Sequence, residues 1–389
     1  MERESNAPGA LAGEGTIALS EPNLGEAETE AVLAALRSGY VSSVGPAVDA
    51  FESHLAERVG SAFAVACSSG TAALHVALRV AGVGPGAEVW CSDFTFAGSG
   101  NPISYLGARP VYIDSELETW NIDPAIVVDE LESRARRGAP MPAAIEVVHV
   151  LGQPAQLAPI LEAGQRHGVP IIEDAAESLG AGWTGGTLAG RQTGAAGLLG
   201  CFSFNGNKIA TAGGGGMIVT DDPELARRAR HLTTQAKAPG VGYLHDEVGY
   251  NYRLTNLAAA LGDAQLSRLP EFLAAKHRIA RHYDEAFDRL PLTLPPRLPG
   301  YAASYWMYSV LTQDAQERDR LLAHLADRGV GARPLWRPLH LQPSFAGSEH
   351  LGGDVGVSLF ERGVSLPNST HLSDDAQERV IDAVRSFFG

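Results

Sequence analysis

The sequence predicts an α/β protein with a large domain on a mostly parallel sheet of seven strands and a smaller C-terminal α/β domain. Short apolar runs alternate with helical patterns from about residue 26 to about residue 235, as expected for strands joined by crossover helices. At Asn256 the pattern changes to a long helical stretch followed by a proline-rich connector. At 389 residues the chain also exceeds the size at which one core stops growing.

Taken in order, Glu26–Ser38 reads as a helix, with Val32, Leu33 and Leu36 on one face and Gly39 as its stop. Ala62–Cys67 is the first strand, and Thr71–Val80 is the helix after it, with Leu74 and Leu78 four apart. Six further apolar runs read as strands: Val89–Cys91, Pro110–Ile113, Ile145–Val150, Pro170–Glu173, Leu198–Phe204 and Met217–Val219. Leu157–His167 and Pro223–Leu232 are helices among them. The stretch from Asn256 to Leu290 is helical with an interruption near Pro270, and the prolines of 291–300 resist both helix and central strand. A strand at Ser309–Thr312, a helix at Arg318–Arg328 and a final helix from about Ser373 complete the smaller domain. The expected division is a flexible arm at 1–15, a large domain at 16–255 and a small domain at 256–389.

Hydrophobic residues are 45% of the chain and charged residues 19%, values of a globular protein rather than a disordered one. A net charge of -15 repels nucleic acid and anionic membranes, so neither is an expected partner. Cys67, Cys91 and Cys201 lie far apart without metal-ligand spacing; they read as core residues, and no metal site is expected. The N-terminus lacks the basic start and apolar run of a signal peptide, and no apolar run reaches membrane-spanning length. A cytoplasmic protein is expected.

Lys208 follows the strand-like run Leu198–Phe204 and precedes Gly213-Gly214-Gly215-Gly216, while Asp174 closes the buried strand before it. An amine that condenses with an aldehyde needs a pocket that lowers its pKa, and a pyridine nitrogen needs a carboxylate to stay protonated. The pair therefore points to pyridoxal phosphate. A lysine in a glycine-flanked loop is ordinarily a surface residue, so the assignment rests on its company. Ser68-Ser69-Gly70-Thr71 joins a strand to a helix and offers hydroxyls and N–H groups at the positive end of the helix dipole, a seat for phosphate; a capped turn is its plain alternative. Asp93-Phe94-Thr95-Phe96 follows another strand and could lay an aromatic ring on the cofactor, or simply pack in the core. Asp174 stands at the carboxyl end of a strand, where open α/β sheets collect ligands; a helix cap is its alternative. Ser203 and Asn205 lie on the segment that leads to Lys208. The Gly213 run lacks the strand, G-x-G-x-x-G, helix and distal acid of a dinucleotide site.

Jointly these stretches resemble the DegT family of sugar aminotransferases, within the fold-type-I pyridoxal phosphate-dependent transferases. The resemblance runs from about Gly25 to the C-terminus through Ser69-Gly70-Thr71-Ala72-Ala73-Leu74, Thr95-Phe96, Gly107-Ala108-Arg109-Pro110-Val111, Glu173-Asp174-Ala175-Ala176, Ser203-Phe204 with Asn207-Lys208, and Gly249-Tyr250-Asn251-Tyr252-Arg253-Leu254. It implies that Lys208 is the Schiff-base lysine, Asp174 the partner of the ring nitrogen and Phe96 the stacking residue. It further implies that Gly70, Thr71 and Ser203 hold the phosphate, with Ser69 and Asn205 beside them, and that Glu177 lies near the ring oxygen or the substrate. Asn251 would reach the phosphate of a neighbouring subunit, which implies a homodimer with composite sites.

Many family members carry Gly-Glu-Gly-Gly after the lysine, where this chain has four glycines. A narrower subgroup shares Asn-Gly-Asn-Lys-Ile, and it also resembles this chain at Ala175–Gly180, Gln235-Ala236 and Arg333–Pro343. That subgroup aminates C4 of UDP-linked 4-keto-6-deoxy-N-acetylhexosamines, with L-glutamate as the family's amino donor. The diphosphate of such a substrate needs local cations, for which Arg253, Arg333, Arg337 and His340 are candidates. Trp306 and Trp336 could stack on the base, wall the sugar or pack in the core. Other keto-sugar nucleotides (dTDP or GDP, C3 or C4) and a non-catalytic regulatory relative remain alternatives. The intact Lys208 disfavours the dehydratase branch, which has histidine there.

Overall fold

In the computed structural model, residues 15–240 and 242–389 are described. Apart from Gly15, the expected N-terminal arm lies outside them. The first half runs α1 (Glu26–Ser38), α2 (Pro46–Val59), β1 (Phe63–Cys67), α3 (Gly70–Val80), β2 (Glu88–Ser92), α4 (Ala97–Tyr105), β3 (Arg109–Ile113), α5 (Pro124–Arg137), β4 (Ala144–Val148), α6 (Leu157–His167), β5 (Ile171–Asp174), β6 (Gly182–Trp183), β7 (Leu199–Ser203), β8 (Gly216–Thr220) and α7 (Pro223–Thr233). It continues through α8 (Asn256–Ser267), α9 (Leu269–Phe287), β9 (Tyr301–Ala302), β10 (Tyr308–Leu311), α10 (Ala315–Asp327), β11 (Arg333–Pro334), β12 (Glu349–Leu351), α11 (Val355–Arg362), β13 (Gly363–Leu366) and α12 (Asp374–Phe388).

The main sheet has the order β1-β8-β7-β5-β4-β2-β3-β12. Its strands are parallel except β8, which runs against both neighbours. The seven strands expected from the first half are all present; the eighth, β12, is a three-residue addition from the C-terminal part that pairs with β3. Because β1, β2, β5 and β7 point the same way, Ser68–Thr71, Asp93–Phe96, Asp174 and Ser203 emerge at one edge of the sheet. Open α/β sheets build their ligand sites at such an edge.

Both faces of the sheet are covered. Leu74, Val76 and Leu78 of α3 meet Val65, Cys91, Ile172, Cys201 and Ile218 on one face, and all three cysteines are buried there. On the other face Val127, Leu131, Leu157 and Ile160 pack on Trp90, Val111, Ile145 and Ile171. Each such side chain contributes about 1.5–3 kcal/mol by leaving water. α8 lies on α1 and α2, and Gln265 donates to Glu28 (2.7 Å). A further core joins α9, α10 and α12 to β10 and β13, through Ile279, Tyr283, Leu321, Val364 and Val380. The break near Pro270 falls at Arg268, between α8 and α9. The run Ile145–Val150 stops as a strand at Val148, because Val150–Gly152 turns with Leu151 at φ +57. Among the described residues, no helix is long and apolar enough to cross a membrane.

Candidate active site

At the shared edge lies a cavity of about 270 Å³. Its wall combines Ser69, Gly70, Thr71, Phe96, Asp174, Glu177, Ser203, Asn205 and Lys208, nine of the residues singled out in the sequence. Trp306 and Trp336 close it from the C-terminal part, 6.3 Å apart and nearly parallel.

Asp174 ends β5 and is buried. Ser99 Oγ donates to its Oδ2 (2.8 Å), and the Ala176 N–H donates to its Oδ1 (3.0 Å). Burial still raises its pKa, against those bonds and the charge of Lys208, so the carboxylate is under-compensated. A cationic N–H partner would relieve it. Lys208 shows the complementary imbalance. Burial lowers its pKa, opposed by Glu177 and Asp174, which raises the share of the nucleophilic free amine. Its Nζ lies 3.8 Å from Glu177 Oε1 and 3.9 Å from the centre of the Trp306 ring. That ring is anchored by its Nε1, which donates to the Asn207 carbonyl (2.7 Å). Glu177 is buried as well; the Leu151 N–H donates to its Oε2 (2.7 Å), and burial raises its pKa against the pull of Lys208.

The opposite end of the cavity is the N-terminus of α3. Ser69 caps that helix by accepting from the Ala72 N–H (3.0 Å), which leaves its hydroxyl proton for a ligand. A Cβ on Gly70 would stand 2.9 Å from Ser203 Cβ, and one on Gly216 would stand 2.2 Å from the Ser69 carbonyl. The two glycines thus let the α3 turn close on β7 and β8, which brings Ser69, Thr71 and Ser203 around one point at a helix N-terminus. A phosphate, an aldehyde and a protonated ring nitrogen would therefore each meet a fitting partner in one cavity. The donor set suits pyridoxal phosphate.

Five predicted residues lie outside this wall, among them Arg333, exposed on β11. Arg253 is half-buried and donates to Glu52 and to the Ala66 carbonyl (3.4 Å), sharing the buried Glu52 carboxylate with Arg230 (2.7 Å). His340 is likewise occupied: its Nδ1 bonds Asp93 Oδ2 (2.5 Å), and its N–H donates to Asp93 Oδ1 (2.9 Å). Both side chains therefore have partners within the chain, away from the cavity wall. Arg337 is exposed next to Trp336, at the rim. Asn251 is exposed outside the cavity, where its Oδ1 accepts from Gln235 Nε2 (3.1 Å).

The sequence reading missed Ser99. It lies on α4, three residues after Phe96, in Ala97-Gly98-Ser99-Gly100-Asn101-Pro102, where two glycines and a proline hide the helix. Glu173 was read only as part of the motif beside Asp174. It is fully buried and accepts from His149 Nε2 (2.9 Å) and from the N–H groups of Gly194, Ala196 and Gly197 (2.8, 2.7 and 2.6 Å). These bonds lock the end of β5 that presents Asp174.

The DegT/DnrJ/EryC1/StrS aminotransferase family model matches residues 22–385. EpsN of Bacillus subtilis (strain 168), provisionally named a pyridoxal phosphate-dependent aminotransferase, is 40% identical over 377 residues, covering 96% of this chain and 96% of that protein. GDP-perosamine synthase of Caulobacter vibrioides is 38% identical over 375 residues, covering 95% of this chain and 97% of that one. Among solved structures, the aminotransferase TlmJ from Streptoalloteichus hindustanus superposes with a TM-score of 0.86 at 34% identity, covering 96% of this chain and 99% of that chain.

Proposed function

The chain belongs to the DegT/DnrJ/EryC1/StrS aminotransferase family, and on that premise we propose that it transfers an amino group from L-glutamate to a nucleotide-linked keto-deoxysugar, at C4 of a UDP-linked 4-keto-6-deoxy-N-acetylhexosamine. It is a sugar aminotransferase with pyridoxal phosphate as cofactor. The observation that carries the site assignment is the meeting of Lys208 and Asp174 in one cavity, each with a charge imbalance that the cofactor would relieve.

Bound there, the cofactor supplies an aldehyde that exchanges with amines and a protonated ring that withdraws electrons from the substrate carbon. Asp174 would hold the proton on the ring nitrogen, with Ser99 and the Ala176 N–H fixing its carboxylate. Ser69, Gly70, Thr71, Ser203 and Asn205 would hold the phosphate. Lys208 Nζ would carry the aldehyde at rest, then take a proton from the amino acid's Cα and deliver one to the sugar carbon in the second half-reaction. Glu177 would orient that amine from 3.8 Å. Phe96 would stack on the cofactor ring, Trp306 and Trp336 would wall the sugar, and Arg337 beside Trp336 would serve the diphosphate.

Asn251 supports a homodimer, because it is exposed outside its own cavity and would serve a second copy's phosphate. The division at 255/256 and a cytoplasmic location belong to the same proposal; the separate core on α9, α10 and α12 supports a small domain, while α8 packs on α1 and α2. The 38% identity to a GDP-perosamine synthase favours a second reading, a GDP-linked keto-sugar. A panel of UDP-, GDP- and dTDP-linked 3-keto and 4-keto sugars with ¹⁵N-glutamate, read by mass spectrometry, decides between them. The proposal expects the highest kcat/KM for the UDP-linked 4-keto-N-acetyl sugar; a higher value for a GDP-linked sugar selects the second reading.

A further inference from the structure

Asp93, His340 and His350 come from three segments that meet only in the fold: the end of β2, the turn at Leu339–Leu341, and the edge strand β12. One ligand atom from each lies within 4.8 Å of the others. Asp93 is 1% exposed, so its carboxylate needs compensation. His340 bonds it twice, and His350 Nε2 stands 3.4 Å from the same Oδ2. That Nε2 is buried and has no hydrogen-bond partner. The two imidazoles are stacked, 4.1 Å between centres. At 3.4 Å from Asp93 Oδ2 the buried His350 ring nitrogen faces the carboxylate without a hydrogen bond.

We propose that Asp93, His340 and His350 form a binding site for one divalent transition ion, zinc by donor set. Two imidazole nitrogens and one carboxylate oxygen are the donors such an ion takes, with water as fourth ligand. An entering cation would take the place of the hydrogen bond between His340 Nδ1 and Asp93 Oδ2 (2.5 Å). The ligand atoms then part to about 3.3 Å, the spacing set by metal–ligand bonds of about 2.0 Å in a tetrahedron. Each imidazole retains some exposure, 18% and 19% of its side chain, which gives the ion a way in. Bound metal would tie β12 and the Leu339–Leu341 turn to the loop that carries Phe96, outside the cavity where the cofactor binds.

The test uses tag-free holoenzyme, stripped with EDTA and titrated with Zn²⁺ by calorimetry and with Co²⁺ by visible absorption. The expected result is one equivalent per chain, four-coordinate Co²⁺ bands, a melting temperature that rises with Zn²⁺, and a loss of affinity of more than about 100-fold in His350→Gln and His350→Ala. The cofactor's visible band should persist in both variants, as a check that they fold. The proposal is overturned if saturable binding is absent from the wild type, or if both variants bind as tightly as it does.

Discussion

Replacing Asp174 by Asn separates its electrostatic role from its structural one. The carboxylate has two protein partners, Ser99 Oγ at 2.8 Å and the Ala176 N–H at 3.0 Å. In Asp174→Asn the amide oxygen still accepts from Ala176. Its NH₂ can donate to Ser99, whose hydroxyl rotates and can turn its proton to Thr95 Oγ1 at 3.0 Å. At most one bond's worth of stability is lost, about 1 kcal/mol, and relief of the buried charge offsets part of it. For a chain of this size that shifts the melting temperature by at most about 3 °C. What disappears is the negative charge opposite the ring nitrogen. Removing one preorganised electrostatic partner in a water-excluded site costs about 2.7–4 kcal/mol, or about 10²–10³ in rate. Single turnover with L-glutamate, followed by the cofactor's visible absorption, measures that loss, and a thermal melt measures the fold. A half-reaction within about tenfold of wild type in cofactor-loaded protein would refute the assigned role.

Glu173→Gln should cost about 3–5 kcal/mol, because a neutral amide cannot accept from His149 and three N–H groups at once. Burial alone would raise the Glu173 pKa, but His149 and the N–H groups hold it below its usual value. Its contribution is therefore full above the unfolded carboxyl pKa near 4.5 and fades as pH falls through the lowered folded value; a stability gap to the variant that widens in acid would contradict this. Arg253→Gln should destabilise by about 2 kcal/mol by removing one of the two arginines that pair with buried Glu52, Arg230 remaining, while KM for the sugar stays within about twofold. A tenfold rise in KM would make Arg253 a substrate residue. Mixing Lys208→Ala with Asn251→Asp chains should recover about a quarter of wild-type activity if sites are composite, because each mixed dimer rebuilds one native site. Recovery no greater than the sum of the parents would sink the dimer proposal.

The elements that bear the site were legible because their signals are local. Alternating apolar runs marked β1 to β5, β7 and β8, and polar residues just after β1, β5 and β7 marked the edge where Lys208 and Asp174 meet. The helices α2, α4, α5 and α11 escaped. α5 buries only Val127 and Leu131 along a charged surface, and α4 is rich in glycine with Pro102 inside it. The partners of Arg253 and His340 were hidden for a different reason. A sequence displays a charge but not the partner that neutralises it, and Glu52 and Asp93 lie 201 and 247 positions away. Ser99 illustrates both difficulties, on a concealed helix and 75 positions from the carboxylate it orients.

The central claim is that the Lys208 amine carries the cofactor. Borohydride reduction of the yellow holoenzyme, followed by peptide mass spectrometry, should place the added mass on Lys208 alone, and Lys208→Ala should lose both the label and turnover. Label on a different lysine, or turnover that survives Lys208→Ala, would contradict it.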